Sequence, residues 1–268
     1  MKTLQSAISA YETGNHSEAL GIFQQLSAQS EAIAMRYLGR MCANGEGLPA
    51  NLADAARWYL QAWKTNDEQS AYELESILPH LEAEAAHNEV IVLFAIGLIY
   101  QVIKNDPVLG VPWLMKAADQ NHPEALQLVG DSYRQGKGVP MDEQLAYRYY
   151  HQAAQLGNGK SMYQLGRQYC EGLAGQQPNE EQGLEWYRKS ADQGFWPANM
   201  ALCKLLADRN RDLDDAREVV QRLCALSAAT KKECSVSSSD GQWSAVVSDG
   251  GKTIGLSGLT MEDLGIEL

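Results

Sequence analysis

The chain has 268 residues, 45% of them hydrophobic, and its 34 acidic and 22 basic side chains give a formal net charge of -12. The hydrophobic share is typical of folded proteins and excludes disorder over the whole chain, and the length suits one or two domains or one continuous repeat array. A strongly acidic chain lacks the basic field that nucleic acids and anionic membranes require. A basic protein is the more compatible partner, and acidity that serves solubility alone is the alternative interpretation.

The sequence predicts a cytoplasmic protein. The first ten residues lack the apolar core of a secretory signal, and the longest apolar run, residues 90–100, is too short to span a bilayer. The five cysteines are odd in number and scattered, without a Cys-x-x-Cys pair. We therefore predict mostly reduced core thiols, with neither a zinc site nor a disulfide framework, and no cofactor.

The first predicted element is a helix hairpin over residues 3–28. Apolar residues recur at helical spacing before and after Gly14 and Asn15, which interrupt the pattern. Two antiparallel helices closed by a turn of small residues resemble a tetratricopeptide unit.

The central stretch, residues 124–194, contains two copies of one pattern at a shift of 36 residues, and residues 31–66 contain a third. In each copy a glycine within the first helix is followed six residues later by a glycine in the turn. A period of this length is typical of stacked helix hairpins. The glycine pairs are Gly39 and Gly45, Gly130 and Gly136, and Gly166 and Gly172.

Two features of the pattern have a physical reason. A glycine inside a helix costs about 1 kcal/mol relative to Ala, so its recurrence indicates close packing of a neighbouring backbone. An aromatic pair in the second helix, such as Trp186 and Tyr187, is expected to fill the space between stacked hairpins.

The pattern resembles the Sel1-like repeat, a relative of the tetratricopeptide repeat. The residues that carry the resemblance are Ala125, Leu128, Gly130, Tyr133, Gly136, Gly138, Val139, Asp142, Ala146, Tyr149, Tyr150, Ala153, Ala154 and Gly157. The resemblance implies an all-α fold, a right-handed α-solenoid, with strong copies at residues 31–66, 122–158 and 159–194.

Degenerate copies are predicted at residues 3–28, 68–87, 89–120 and 196–227. The second is expected to be a short hairpin broken before Pro79, and the last is expected to cap the array. The repeat region thus covers residues 1–229, with about seven hairpins and 14 helices.

Residues 230–268 are rich in Ser and Gly and have no helical pattern until their end. Residues 243–247 and 253–256 alternate in a way that favours a β-hairpin. An isolated hairpin is marginally stable in water, so the segment is either a mobile tail or a hairpin docked on another surface.

Residue patterns that suggest chemistry are few. His80, Glu84 and His87 share one face of a predicted helix and are candidate zinc ligands, but they do not form a His-Glu-x-x-His motif. Gly251, Lys252 and Thr253 resemble the end of a phosphate-binding loop whose first glycine is missing, and a hairpin turn fits them better. Without a catalytic frame, we predict that the protein is not an enzyme.

The resemblance implies that the first helix of each hairpin lines a concave groove that binds a partner protein or peptide. The side chains expected to face that groove are Arg36, Arg40, Gln127, Asp131, Arg134, Tyr163 and Arg167. The predicted function is a protein–protein interaction adaptor of a bacterial cytoplasm. An immunity protein that neutralises a toxin, and a metal-dependent or cell-wall-directed enzyme, are the alternatives. The sequence does not predict an oligomeric state.

Overall fold

The computed structural model of the chain describes residues 3–175, 177–209, 234–239, 242–249 and 252–259. The chain divides into two compact units, residues 1–146 and 147–268. Within the described residues no helix is long and apolar enough to cross a membrane.

Twelve α-helices lie in the described residues, and they confirm the all-α repeat fold. They are α1 (Leu4–Glu12), α2 (His16–Ser27), α3 (Ala32–Asn44), α4 (Leu52–Lys64), α5 (Gln69–Glu84), α6 (Val90–Leu98), α7 (Pro107–Asp119), α8 (Pro123–Gln135), α9 (Glu143–Gln155), α10 (Gly159–Glu171), α11 (Glu180–Asp192) and α12 (Trp196–Arg209).

Helices that follow each other in the chain pack as pairs. In residues 1–146 the pairs are α1 with α2, α3 with α4, and α6 with α7, while α10 packs on α11 in residues 147–268. The turn glycines Gly45, Gly136 and Gly172 adopt the left-handed backbone conformation at which α3, α8 and α10 end. Glycine adopts this conformation without strain, so these turns form as the sequence predicts.

The hairpin predicted over residues 68–87 is wrong, because one helix, α5, runs through Pro79 and ends in a 3-10 turn, Ala85–His87. Leu74, Leu78 and Leu81 are buried along one side of this helix, on both sides of the proline. Proline removes one helical hydrogen bond and crowds the preceding turn. Burial of a continuous apolar stripe outweighs that cost, since each leucine contributes about 1.5–3 kcal/mol.

Helix α6 continues without interruption into a π-helical segment, Ile99–Ile103. Together they cover the apolar run at residues 90–100. Only three residues then separate this segment from α7, whereas seven separate α3 from α4 and α8 from α9.

The glycine inside the first helix of a hairpin packs against a side chain of the second helix. A Cβ atom on Gly39 would lie 2.5 Å from Cε1 of Tyr59, and one on Gly166 would lie 2.6 Å from Cδ1 of Tyr187. The predicted close neighbour is therefore mainly a ring rather than a backbone.

The two aromatic residues of each pair have different environments. The second, Tyr59 or Tyr187, is buried against the glycine of its own hairpin, while the first is only partly buried. Trp58 packs on the core cluster of α1, α2 and α3, and Trp186 makes an edge contact with His151 of α9. The expectation that the pair fills the space between hairpins thus holds for the first ring. The second ring packs inside its own hairpin instead.

Replacing Gly39 by Ala should reduce the free energy of unfolding by about 1–3 kcal/mol. The intrinsic helix preference favours Ala by about 1 kcal/mol, but the new methyl group would overlap the buried Tyr59 ring. Urea unfolding followed by circular dichroism measures the change.

The matched control is Gly21→Ala in α2, where a Cβ would meet no atom within 4 Å. This substitution should stabilise the protein by about 0.4–1 kcal/mol, because Ala restricts the unfolded chain and fits the helix. If both substitutions stabilise the protein, the Tyr59 ring leaves room for a methyl group at position 39, contrary to this prediction.

Beyond α12 the structure describes an antiparallel sheet in the order β1 (Cys234–Ser239), β2 (Gln242–Asp249) and β3 (Lys252–Leu259). Strands β2 and β3 pair where the sequence predicts a hairpin, with Val247 opposite Ile254, and β1 was not predicted. Helix α12 is the first arm of the predicted last hairpin, and its second arm, residues 212–226, lies outside the described residues.

Candidate functional site

Arg36, which the sequence places on the partner-binding face, is buried and paired within the chain. Its Nε donates a 2.8 Å hydrogen bond to Oδ2 of Asp67, and the Ser70 hydroxyl donates to the same oxygen. Its guanidinium also lies 5.8 Å from the centroid of the Tyr37 ring. The structure therefore gives Arg36 an intramolecular role.

Arg40 lies one turn further along α3 and contacts Glu73 of α5. Its Nε donates to Oε1 of Glu73 at 2.7 Å, and its guanidinium lies 5.5 Å from the centre of Tyr37. Burial alone would lower the pKa of Arg40, but the hydrogen bond and the charge of Glu73 outweigh it and raise the pKa. Helix α5 and the turn before it thus supply a carboxylate to each arginine.

In residues 147–268, the predicted site residues Tyr163 and Arg167 lie on α10. The Tyr163 ring packs between Tyr187, at 5.6 Å, and Phe195, at 5.5 Å. Arg167 is partly exposed and pairs with Glu171 of its own helix, with Nε and Oε1 3.1 Å apart. Both side chains are partly exposed, and their part in binding stays a prediction.

The remaining predicted residues lie together on α8. The Gln127 amide, which is buried, donates to Oδ2 of Asp131, and an Arg134 nitrogen lies 3.7 Å from Oδ1 of the same carboxylate. The three side chains therefore form one polar cluster centred on Asp131, whose side chain is 14% exposed.

A groove of about 290 Å³ lies beside this cluster, between the end of the π-helical segment, the start of α7 and the second half of α8. Its lining residues are Gln101, Val102, Asn105, Pro107, Leu128, Asp131, Ser132, Gln135 and Lys137. We call it the α8 groove. Of the seven predicted partner-binding residues, only Asp131 is among them.

The short connection before α7 borders the α8 groove. It has three residues instead of the seven that separate α3 from α4, and its Asn105 lines the groove together with Pro107. The turn after α8 crosses over Pro107, so closely that a Cβ on Gly138 would lie 2.3 Å from the Pro107 carbonyl oxygen. The sequence signals this difference by a turn before residue 107 that is shorter than the turns of the strong copies.

Gln101 carries an unsatisfied acceptor in this region. Its Nε2 donates a 2.8 Å hydrogen bond to the Ser132 hydroxyl, which donates in turn to the Leu128 carbonyl at 2.9 Å. A hydroxyl has one proton, so the Gln101 atom that faces Ser132 must be the NH₂ group. Its Oε1 is then the other amide atom, and it is buried without a hydrogen-bond partner.

The candidate zinc ligands do not share one helix. His80 and Glu84 belong to α5, whereas His87 lies in the 3-10 turn that follows. Among the described residues, no group of three or more His, Cys, Asp or Glu side chains could hold a metal ion.

The helix hairpins repeat at a near-constant period, with a helix glycine packed on a ring of the following helix. These features define an α-helical repeat protein of the tetratricopeptide-related class. The sequence profile of the Sel1 repeat matches residues 32–62, 93–122, 123–158 and 159–195, half of the chain, and the chain belongs to the Sel1 repeat family. The match at residues 93–122 shows that a copy predicted as degenerate is a Sel1 repeat.

The chain is also similar to individual proteins. It is 30% identical over 163 residues to an uncharacterized protein of Neisseria meningitidis, covering 61% of this chain and 32% of the relative. It is 29% identical to chitin synthase regulatory factor 3 of Schizosaccharomyces pombe, covering 44% of this chain and 14% of the relative. The chain thus spans a third or less of these curated relatives.

Among solved structures, a Sel1 repeat protein from Oxalobacter formigenes superposes with a TM-score of 0.50 at 25% identity. The superposition covers 86% of this chain and 91% of that protein. The similarity therefore extends over most of both chains and supports the repeat fold.

Proposed function

We propose that this chain is a cytoplasmic adaptor without catalysis of its own, and that it binds a partner protein through the α8 groove. Sel1 repeats are protein-interaction modules, and the observation that carries the proposal is the position of the groove between first helices of successive repeats. The predicted binding residue Asp131 lines it. The net charge of -12 favours a basic partner.

The lining of the α8 groove suits a peptide segment. Val102, Pro107 and Leu128 offer apolar contacts, while Asp131 and Gln101 offer polar ones. Specific peptide sites combine apolar contact area with a few fixed polar groups in this way.

Val102→Arg should weaken partner binding by about tenfold or more. Val102 lines the groove and is 44% exposed, so a long cation there blocks the groove without disturbing the core. Leu156→Arg is the matched control, because Leu156 is also 44% exposed and is not among the groove residues. Tagged wild type and both variants are used to capture proteins from the native cell, with quantitative mass spectrometry as the readout.

We expect at least one protein to be retained by the wild type and by Leu156→Arg, and to fall by about tenfold or more with Val102→Arg. Thermal unfolding of both variants checks that they are folded. Undiminished capture by a folded Val102→Arg variant would contradict the proposal. The immunity role is the same kind of binding with a toxin as partner, and the identity of the captured protein distinguishes the two.

A further inference from the structure

We propose that His122 is a pH-sensitive cap, which holds the first turn of α8 only while its imidazole ring is neutral. The residue immediately precedes α8, and its Nδ1 accepts a 3.3 Å hydrogen bond from the backbone N–H of Ala125. An imidazole nitrogen can accept a hydrogen bond only when it carries no proton. Protonation of Nδ1 therefore removes the acceptor and leaves the Ala125 N–H without its cap. This property belongs to the fold of the chain and does not depend on the function proposed above.

Protonation would also place a cation where a helix favours an anion. The N–H groups at the start of a helix carry partial positive charge, so a charged ring at the cap position is disfavoured. The ring of His122 is stacked on Phe94 of α6, with centroids 4.3 Å apart and planes inclined by 26°, and its side chain is only 15% exposed. In this position an imidazolium loses part of its hydration as well as the cap hydrogen bond.

Two charged side chains act on the ring. Oε2 of Glu124 lies 3.6 Å from Nδ1, and Oε1 of the same carboxylate accepts a 2.7 Å hydrogen bond from Lys64 of α4. From α6 the ring meets the uncharged Phe94, and the Ala117 carbonyl of α7 accepts the backbone N–H of His122. Burial lowers the pKa of His122 and so does the charge of Lys64, and together they outweigh Glu124, which raises it. The neutral cap is therefore favoured in the folded chain.

The next repeat has a cap without a titratable group at the same position. Asn158 lies 36 residues after His122, and its Oδ1 accepts a 2.8 Å hydrogen bond from the Ser161 N–H at the start of α10. Asparagine also caps α4 and α11, through Asn51 and Asn179. An asparagine cap has no proton to gain or lose in this range of pH. His122 thus gives α8 a response to pH that an asparagine cap does not give its helix.

The lowered pKa makes the folded chain less stable in acid. As the pH falls, the unfolded chain takes up a proton at His122 before the folded chain does, so protons favour unfolding. The contribution of the neutral ring is complete above its ordinary pKa of about 6.5, is lost as the pH falls from there to the folded pKa, and stays lost below it. The loosening begins at the first turn of α8, which contains the buried Ala125 and Leu126.

Two NMR measurements on the full chain test the cap. A titration of the histidine ring resonances from about pH 7.5 to about pH 4.5 gives the pKa of His122, and we expect it to lie below that of histidine in the urea-unfolded chain. Amide hydrogen exchange, corrected for its intrinsic pH dependence, compares the N–H groups of Ala125 and Ser161. Protection of Ala125 should fall by about fivefold over this range, while that of Ser161 should not change. A His122 pKa at or above the unfolded value, or equal changes at both amides, would overturn the proposal.

His122→Asn separates the cap from the packing of the ring. The substitution removes the stacking on Phe94 at every pH but supplies a cap that cannot be protonated. The urea midpoint of the wild type should therefore fall more steeply than that of the variant as the pH is lowered from about 7.5 to about 4.5. The control is His87→Asn, which changes an exposed histidine and should keep the wild-type profile. Parallel profiles of the wild type and His122→Asn would contradict the proposal; if this variant does not fold, the NMR measurements on the wild type decide it.

Discussion

Replacing Tyr187 by Ala should lower the free energy of unfolding by about 3–5 kcal/mol. The ring is buried, fills the space left by Gly166 and lies 5.6 Å from the Tyr163 ring. Gly166 has no side chain that could move into the vacated volume, so a cavity remains. Urea unfolding followed by circular dichroism and by tryptophan fluorescence measures the loss.

Trp186→Ala is the control on the same helix. Trp186 is partly exposed and contacts His151 at 6.1 Å and the Lys189 ammonium group at 4.7 Å, measured from the ring centre. Its removal should cost about 1–2 kcal/mol, because solvent already reaches the ring and a partly exposed cation–π contact is weak. A larger loss for Trp186 than for Tyr187 would reverse the assignment of the buried position.

The repeat fold could be predicted because its main contacts are local. Gly39 and Tyr59 belong to one hairpin, as do Gly166 and Tyr187, so the same spacing recurs wherever the same contact forms. The assignment over residues 68–87 failed because a proline is a strong local signal for a helix end. The buried stripe that carries α5 past Pro79 depends on contacts with α4 and α6, which lie outside that segment.

The candidate site was less predictable because its contacts join residues that are far apart in the sequence. The repeat pattern places Arg36 and Arg40 on one face of α3, but their pairing depends on the position of α5. Asp131 lies on α8 and its part in binding stays a prediction, whereas the groove beside it is lined by the end of a π-helical segment and the short turn after it. Neither feature has a residue signature as regular as a turn glycine.

The ion pair of Arg36 and Asp67 tests how far the burial of charge stabilises this region. The two side chains are 10% and 12% exposed, and their Nε and Oδ2 atoms are 2.8 Å apart. Lys104 and Glu75 form a pair of similar length, 2.7 Å, but with 37% and 43% of their side chains exposed. The pairs thus differ mainly in their exposure to water.

Asp67→Asn should reduce the free energy of unfolding by about 3 kcal/mol, because it leaves the buried Arg36 guanidinium without a counter-charge. Glu75→Gln should cost less than about 1 kcal/mol, since water and salt already screen the exposed pair. Urea unfolding measures the loss of unfolding free energy in both variants. Equal losses would show that burial of the Arg36–Asp67 pair has no energetic consequence. Adding Arg36→Met to Asp67→Asn should recover part of the loss, because the penalty arises from the isolated cation and disappears when that cation is removed.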